Sequence, residues 1–147
     1  GTTIPIIGDL LSFELVYNPG AAFSIGEEFT WVLTIIAAFA VVAITWYAWN
    51  VESRAWAFAL GLLLGGAITH LGDRLFRDPG FARGHVVDFI NYNNYFIGNL
   101  ADIALVGGAI VIVLISLMGI AKKRAPAEPS TTDAAVEEAK PATPEQP

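Results

Sequence analysis

Cysteine is absent from the 147 residues of this chain. A disulfide framework, a thiol nucleophile and a thiolate metal site are therefore excluded. Charge is also scarce, because Asp, Glu, Lys and Arg make up 15% of the residues whereas 54% are hydrophobic. This balance is too apolar for an ordinary soluble domain, and it indicates a small protein that crosses a membrane several times.

The sequence contains long apolar stretches. A helix needs about 20 apolar residues to cross a bilayer, and three stretches meet this need, at about 29–49, 56–71 and 99–120. An outer loop, 72–98, joins the last two. Within the second stretch, glycines at small-xxx-small spacing predict a face for close helix packing: Gly61, Gly65 and Gly66.

Lysine is missing from the first 121 residues, and a basic cluster, Lys122 to Arg124, follows the third span. Basic residues beside spans favour the cytoplasmic side, so the C-terminal end is predicted to be cytoplasmic. The opposite side then carries residues 1–28 and the outer loop. A serine–lysine catalytic dyad is excluded there, since that side has no lysine.

The fold class predicted is an all-α integral membrane helix bundle with a small extracytoplasmic β platform. The stretches "LLSFELVY" and "RGHVVDFI" supply the platform, because they alternate and are rich in β-branched and aromatic residues. The predicted organisation is a β-rich segment at 1–28, a transmembrane core at 29–120 and a tail at 121–147. Prolines, acids and few apolar residues predict that this tail is disordered and cytoplasmic.

Two carboxylates, Asp88 and Asp102, lie at the mouth of the third span. Each has an ordinary structural interpretation: Asp88 as a loop carboxylate facing an arginine, and Asp102 as part of a capping box begun by Asn99. An ionisable side chain within or at the edge of the bilayer costs free energy, and such residues usually have a function. Two carboxylates that share a proton can act as base toward water and acid toward a carbonyl, which is aspartic-protease chemistry.

Three further stretches carry polar or small residues that suit a site. "VYNPG" predicts a turn with Asn18 and Gly20, and Ala21 after it lets a peptide backbone approach. Asp73 and Arg74 predict either a helix-end ion pair or an arginine fork that holds peptide carbonyls. Zinc on His70, His85 and carboxylates is the alternative, but no H-E-x-x-H motif supports it, and phosphate-loop and dinucleotide motifs are absent. No metal and no cofactor are expected.

Three motifs in order, "NPGAAFSIG", "GGAITHLGDRLFRDPGFARGHVVDFI" and "NLADIAL", resemble the bacterial lipoprotein signal peptidases, also called signal peptidase II. The resemblance covers roughly residues 4–120. It implies a four-helix membrane aspartic peptidase that cuts a prolipoprotein before its diacylglyceryl-modified cysteine. By motif, Asp88 and Asp102 would be the catalytic pair. Polar residues around the pair also match the family's pattern: Asn18, Asp73, Arg74 and Asn99.

The resemblance further implies where the protein acts and with what. It predicts a monomeric multi-pass protein of the bacterial inner membrane, with its site near the extracytoplasmic surface. Lipidated prolipoprotein signal peptides and membrane lipids would be its partners, and nucleic acid would not. Two departures stand out: Thr69 and His70 replace the family's glycine and asparagine, and the sequence starts after the family's first helix, so that three of four helices are expected.

A non-enzymatic membrane protein is the competing hypothesis. Asp88 and Asp102 would then be relay carboxylates of an ion or proton pathway. Such a path needs polar groups through the depth of the bilayer. The spans offer only Thr45 and Ser116 toward the cytoplasmic side, so the peptidase is the preferred interpretation.

Overall fold

The computed structural model describes residues 2–21 and 27–123. The predicted disorder of the tail and part of the "NPGAAFSIG" motif fall on residues 124–147 and 22–26, which lie outside the described residues. The elements follow the order β1 (Ile4–Ile7), β2 (Leu11–Asn18), a 3₁₀ turn (Glu27–Phe29), α1 (Thr30–Ala48), α2 (Arg54–Phe76), β3 (Val86–Tyr92), β4 (Phe96–Gly98) and α3 (Leu100–Leu117).

The three helices are each long and apolar enough to cross a membrane. Helix α2 is central and packs against both α1 and α3. Two glycines allow the close approach of α2 and α3, because a Cβ at Gly66 would lie 2.7 Å from the carbonyl oxygen of Ala101, and one at Gly108 would lie 2.9 Å from that of Ala59. The bundle is thus a row of three helices rather than a closed ring.

Helix α2 continues five residues beyond the predicted end of its span at Leu71, as far as Phe76. This last part contains Asp73 and Arg74, which the prediction placed in the outer loop, and it follows closely on His70, which lies within the predicted span. The helix continues because these side chains meet partners from the loops and the sheet rather than lipid. It therefore carries three of the candidate site residues above the apolar part of the bundle.

The β platform is a four-stranded antiparallel sheet in the order β1-β2-β3-β4. It confirms the predicted platform, but the label "all-α" is wrong, since the outer loop itself contributes β3 and β4. The stretch "VVDFINY" forms β3 because its β-branched and aromatic residues suit an extended chain. The β3–β4 hairpin turns at Asn93 and Asn94, which adopt φ values of 51° and 59°, a left-handed conformation that asparagine tolerates.

The opposite end of the bundle is held by backbone and aromatic contacts. Lys122 O accepts from the N–H groups of Glu52 and Ser53 in the turn before α2, at 3.1 and 3.2 Å. The indole of Trp56 donates to Ile120 O at 2.8 Å. The ammonium of Lys122 lies 3.6 Å from the centre of the Tyr47 ring. These contacts fix the far end of α3 against α1 and α2.

Candidate active site

Asp88 is held in β3 by two side-chain amides. Its Oδ2 accepts from Asn18 Nδ2 at 3.0 Å and its Oδ1 from Asn99 Nδ2 at 2.8 Å. Both amides are oriented by the backbone, because Asn18 Oδ1 accepts from the N–H of Gly20 and Asn99 Oδ1 from that of Ala101. Nδ2 of each asparagine must therefore face the carboxylate.

The environment of Asp88 favours its protonated form. The side chain is 3% exposed, and this burial raises the pKa of Asp88 above the usual carboxyl value. The negative charge of Asp102 acts in the same direction, whereas the hydrogen bonds from the two amides oppose it. Burial is the largest of these effects, so Asp88 keeps its proton to a higher pH than an exposed aspartate does.

Asp102 lies in the first turn of α3 and has two roles, one for each oxygen. Oδ2 accepts from the backbone N–H of Asn99 at 2.7 Å, which completes a capping box. Oδ1 lies 3.1 Å from His70 Nε2. This is a close contact between a ring nitrogen and a carboxylate oxygen, and Nε2 has no other partner among the described residues. The capping interpretation is thus correct, and it still leaves one oxygen directed toward His70.

Asn99 connects the two carboxylates. Its side chain donates to Asp88 and its backbone N–H donates to Asp102. Both carboxylates line one cavity of about 250 Å³, together with Asn18, Gly20, Ala21, His70 and Arg74. Seven of the nine residues singled out in the sequence therefore line one space, and Asn99 lies directly behind it.

Arg74 binds the chain's own backbone. The residue is 5% exposed. Its guanidinium donates from one nitrogen to Pro19 O at 3.0 Å and Gly84 O at 3.4 Å, and from the other to Gly20 O. The sequence allowed a fork that holds a substrate's carbonyls. In the structure the fork holds the segment after β2, and so it fixes the wall of the cavity at Gly20.

Asp73 lies outside the cavity. Its Oδ2 accepts from the N–H of Val87 at 3.1 Å, and its Oδ1 pairs with Arg77 Nε at 2.5 Å. The expected partner was Arg74, which instead bonds to carbonyl groups. Asp73 therefore holds the start of β3, one residue before Asp88.

Comparison with known proteins identifies the family. The family model described as signal peptidase (SPase) II matches residues 1–118. This chain belongs to the signal peptidase II family. The lipoprotein signal peptidase of Mycobacterium avium (strain 104) is 50% identical over 119 residues, which cover 81% of this chain and 65% of that protein. That of Streptomyces griseus subsp. griseus is 54% identical over 117 residues, which cover 80% of this chain and 60% of that protein.

Two solved structures of bacterial membrane enzymes share this fold. A bacterial membrane enzyme solved by the in meso method at 2.3 Å resolution superposes with a TM-score of 0.71 at 27% identity, over 86% of this chain and 79% of that one. A second, solved at 1.9 Å, gives a TM-score of 0.60 at 31% identity, over 80% and 76%. The signal peptidase II resemblance is confirmed, and the chain spans less than two thirds of the length of the curated relatives described above.

Gly98 is a site residue of this signal peptidase II chain that sequence reasoning missed. A Cβ there would lie 2.8 Å from Asp102 Oδ2 and 2.6 Å from the ring of Phe96. Only glycine allows the carboxylate and the ring to approach the backbone so closely. Its position directly before the cap residue Asn99 was the available signal.

The two histidines lie in different places. His70 lines the cavity with both carboxylates, whereas His85 lines another cavity with Glu28 and Arg83. Within residues 2–21 and 27–123, no three His, Asp or Glu side chains converge in a way that could hold a metal ion. The two histidines that the zinc alternative required therefore line separate cavities.

Proposed function

We propose that this chain carries the active site of a membrane aspartic endopeptidase that removes signal peptides from prolipoproteins. Cleavage would occur before the diacylglyceryl-modified cysteine. The observation that carries the proposal is the pair of carboxylates bridged by Asn99 in one cavity. Membership of the signal peptidase II family supports the substrate class.

The environments of the two carboxylates suit different roles. Asp88 is buried, and its raised pKa favours the protonated acid. Asp102 is more accessible, with 27% of its side chain exposed, and lies beside His70. We assign Asp102 as the base that takes a proton from water and Asp88 as the acid that protonates the scissile carbonyl oxygen.

The reaction then needs no covalent intermediate. Water attacks the carbonyl carbon while its proton passes to Asp102, and the carbonyl oxygen receives the proton of Asp88. When the tetrahedral intermediate collapses, Asp88 recovers a proton from the hydroxyl group and Asp102 donates one to the leaving nitrogen. Both carboxyl groups return to their starting states, so the cycle balances in atoms and charge.

The position of the site suits a membrane-anchored substrate. Asp102 lies in the first turn of α3, a helix of membrane-spanning length, and Asp88 lies in the adjoining sheet. A lipidated prolipoprotein that diffuses in the bilayer would reach this level laterally. We place the site near the extracytoplasmic surface of a bacterial inner membrane and the Lys122 end in the cytoplasm, with the protein acting as a monomer.

The structure offers little for a proton or ion pathway. Thr45 and Ser116 donate their hydroxyls to carbonyls four residues earlier in their own helices, Val41 O and Ile112 O, both at 2.7 Å. These hydroxyls form hydrogen bonds within their own helices, so they form no hydrogen-bonded relay toward Asp88 and Asp102. The peptidase is therefore the function that the geometry supports best.

Substitution of each carboxylate of the proposed catalytic dyad, Asp88 and Asp102, by asparagine tests the proposal. Asp88→Asn and Asp102→Asn keep the size of the side chain but remove the exchangeable carboxyl proton. Each variant should cleave a lipidated prolipoprotein peptide at least about 10²-fold more slowly, and the double variant should be little worse than either, because the two residues act as a unit. The exposed Asp9 provides a matched control, and Asp9→Asn should cleave at the wild-type rate.

Folding must be measured on the same samples. Asp102→Asn retains an oxygen that can accept from the N–H of Asn99. Its free energy of unfolding should therefore fall by no more than about 2 kcal/mol. Asp88→Asn presents an amide to two amide donors, so one donor loses its partner. If folded, membrane-inserted Asp102→Asn cleaves at a near wild-type rate, its role is only helix capping and the aspartic mechanism is wrong.

A further inference from the structure

The reaction proposed above does not use His70, although this side chain lines the cavity with Asp88 and Asp102. Nε2 of His70 lies 3.1 Å from Asp102 Oδ1. The nitrogen is buried and has no other partner among the described residues. A buried polar atom without a partner is costly, and a proton held between the ring and the carboxylate satisfies both atoms. The contact therefore couples the imidazole to Asp102.

The contact acts on the oxygen of Asp102 that the capping box does not use. Oδ2 accepts from the backbone N–H of Asn99 at 2.7 Å, and this bond fixes that oxygen at the start of α3. Oδ1 is thus the oxygen that remains for proton transfer, and His70 lies next to it. The torsion that turns a carboxylate is only broadly restrained by itself, so a second contact is needed to fix the plane of the group.

Charged side chains share the cavity with His70 from three elements. Asp102 of α3 and Asp88 of β3 would attract a protonated ring, and Arg74 of α2 would repel it. The described lining residues from α1 are apolar: Leu33, Ile36 and Ala37. Histidine is the side chain whose ordinary titration lies between pH 5 and pH 8. A change of pH in this range can therefore change the charge beside Asp102.

We propose that His70 is a positioning residue for Asp102 and that protonation of its ring makes Asp102 a weaker base. With a neutral ring, Nε2–H donates to Oδ1 and orients the carboxylate for the attacking water. With a protonated ring, the two side chains form an ion pair, and the stabilised carboxylate accepts a proton from water less readily. This inference rests on the proposed function, because that function makes Asp102 the base.

The pH dependence that His70 confers differs in direction from that of Asp88. Burial raises the pKa of Asp88, and the acid must keep its proton, so ionisation of Asp88 slows cleavage as pH rises. Protonation of His70 slows cleavage as pH falls. A pH profile of kcat therefore separates the two residues, since each one affects a different limb.

Two substitutions of His70 separate its hydrogen bond from its charge. His70→Gln keeps a neutral N–H donor that can reach Asp102 but does not titrate, and His70→Leu removes both the donor and the charge. His85→Gln is the matched control, because the chain has two histidines and His85 lines a separate cavity. We would measure kcat and KM for a lipidated prolipoprotein peptide from pH 5 to pH 8, with thermal melting of the same samples.

Wild type and His85→Gln should lose about tenfold or more in kcat from pH 8 to pH 5. His70→Gln should lack this fall and stay within about threefold of wild type at pH 8, whereas His70→Leu should lose about tenfold or more there with KM unchanged. The inference is overturned if wild type shows no such fall, if His70→Gln keeps it, or if His70→Leu matches His70→Gln at pH 8.

NMR of the two histidine rings tests the contact without any cleavage, and His85→Gln assigns the signals. Asp102→Asn should change the ring ¹⁵N signals of His70 and their dependence on pH, and it should leave those of His85 unchanged. Unchanged signals of His70 would show that the ring does not contact Asp102 and would overturn the inference. If the signals change as expected but wild type cleaves no lipidated peptide, the contact stands and the proposed function fails.

Discussion

Single residues decide the chemistry of this site, and Asn99 shows how far sequence predicts them. The spacing of Asn99 and Asp102 is a capping box that is local in sequence, and the structure has it. The burial of Asp88 is not local, because its amide partners come from residues 70 positions before and 11 positions after it. Sequence could therefore single out both carboxylates as candidates, but not the different environments on which their proposed roles rest.

Because the pKa of Asp88 is raised in the folded protein, the contribution of this residue to the free energy of unfolding depends on pH. The unfolded chain releases this proton near pH 4, whereas the folded protein, because Asp88 is buried, releases it at a higher pH. Between the two pKa values the folded state binds more protons, so the contribution of Asp88 to stability falls as pH rises. Below pH 4 that contribution is fully present.

Thermal unfolding of wild type and Asp88→Asn from pH 4 to pH 8 measures this effect. The stability of wild type relative to the variant should decline with rising pH and then level off above the folded pKa. A relative stability that rises with pH over this range would mean that Asp88 is charged more readily in the folded protein. The role of Asp88 as the acid would then be wrong.

The secondary-structure elements position these residues, and helix α2 differs most from its prediction. Its apolar run predicted a span as far as Leu71, but its polar end, with Asp73 and Arg74, was predicted as part of the outer loop. The partners that keep this end helical, such as Pro19 O and Gly20 O for Arg74, are distant in sequence. Only one of the three glycines predicted to form a packing face lies at a helix contact. Gly66 contacts α3, whereas a Cβ at Gly61 or Gly65 meets no described atom within 4 Å.

The neighbouring glycines of α2 give a prediction for helix packing. Gly66→Ala would place its Cβ 2.6 Å from Leu105 Cγ and 2.7 Å from Ala101 O, and backbone cannot move aside cheaply. We expect a loss of about 1–3 kcal/mol in the free energy of unfolding. Gly65→Ala should be neutral or slightly stabilising, since Ala favours a helix.

Reversible unfolding in mixed micelles measures both glycine variants. Equal stability of Gly66→Ala and Gly65→Ala would show that α2 and α3 are not packed closely at Gly66. Because Ala101 and Asp102 are adjacent in α3, Gly66→Ala should also slow cleavage of a lipidated peptide.

At the scale of the whole molecule, the two ends of the bundle differ in kind. One end carries the sheet, the cavity and both carboxylates, and the other carries the contacts of Lys122 with the turn before α2. The basic cluster after the third apolar run and the two carboxylates at its other end predicted this division. The arrangement of the three helices in a row was not predictable, because it depends on contacts between glycines and carbonyls on separate helices.

The absence of cysteine makes the orientation directly testable. A single cysteine at Phe81, which is 77% exposed in the loop after α2, should react with a membrane-impermeant maleimide on intact cells. A cysteine at Ala121, exposed beyond α3, should react only after lysis. The reverse pattern of labelling would place the dyad on the cytoplasmic side and contradict the proposed topology.

Local opening of the first turn of α3 would abolish the proposed peptidase activity while the rest of the fold is kept. Helix ends open locally at a much lower free energy than the whole structure. Because Asn99 holds Asp88 with its side chain and Asp102 with its backbone, one such opening releases both acids together. Mild heating or a harsh detergent would then inactivate the molecule reversibly, with all three helices still formed.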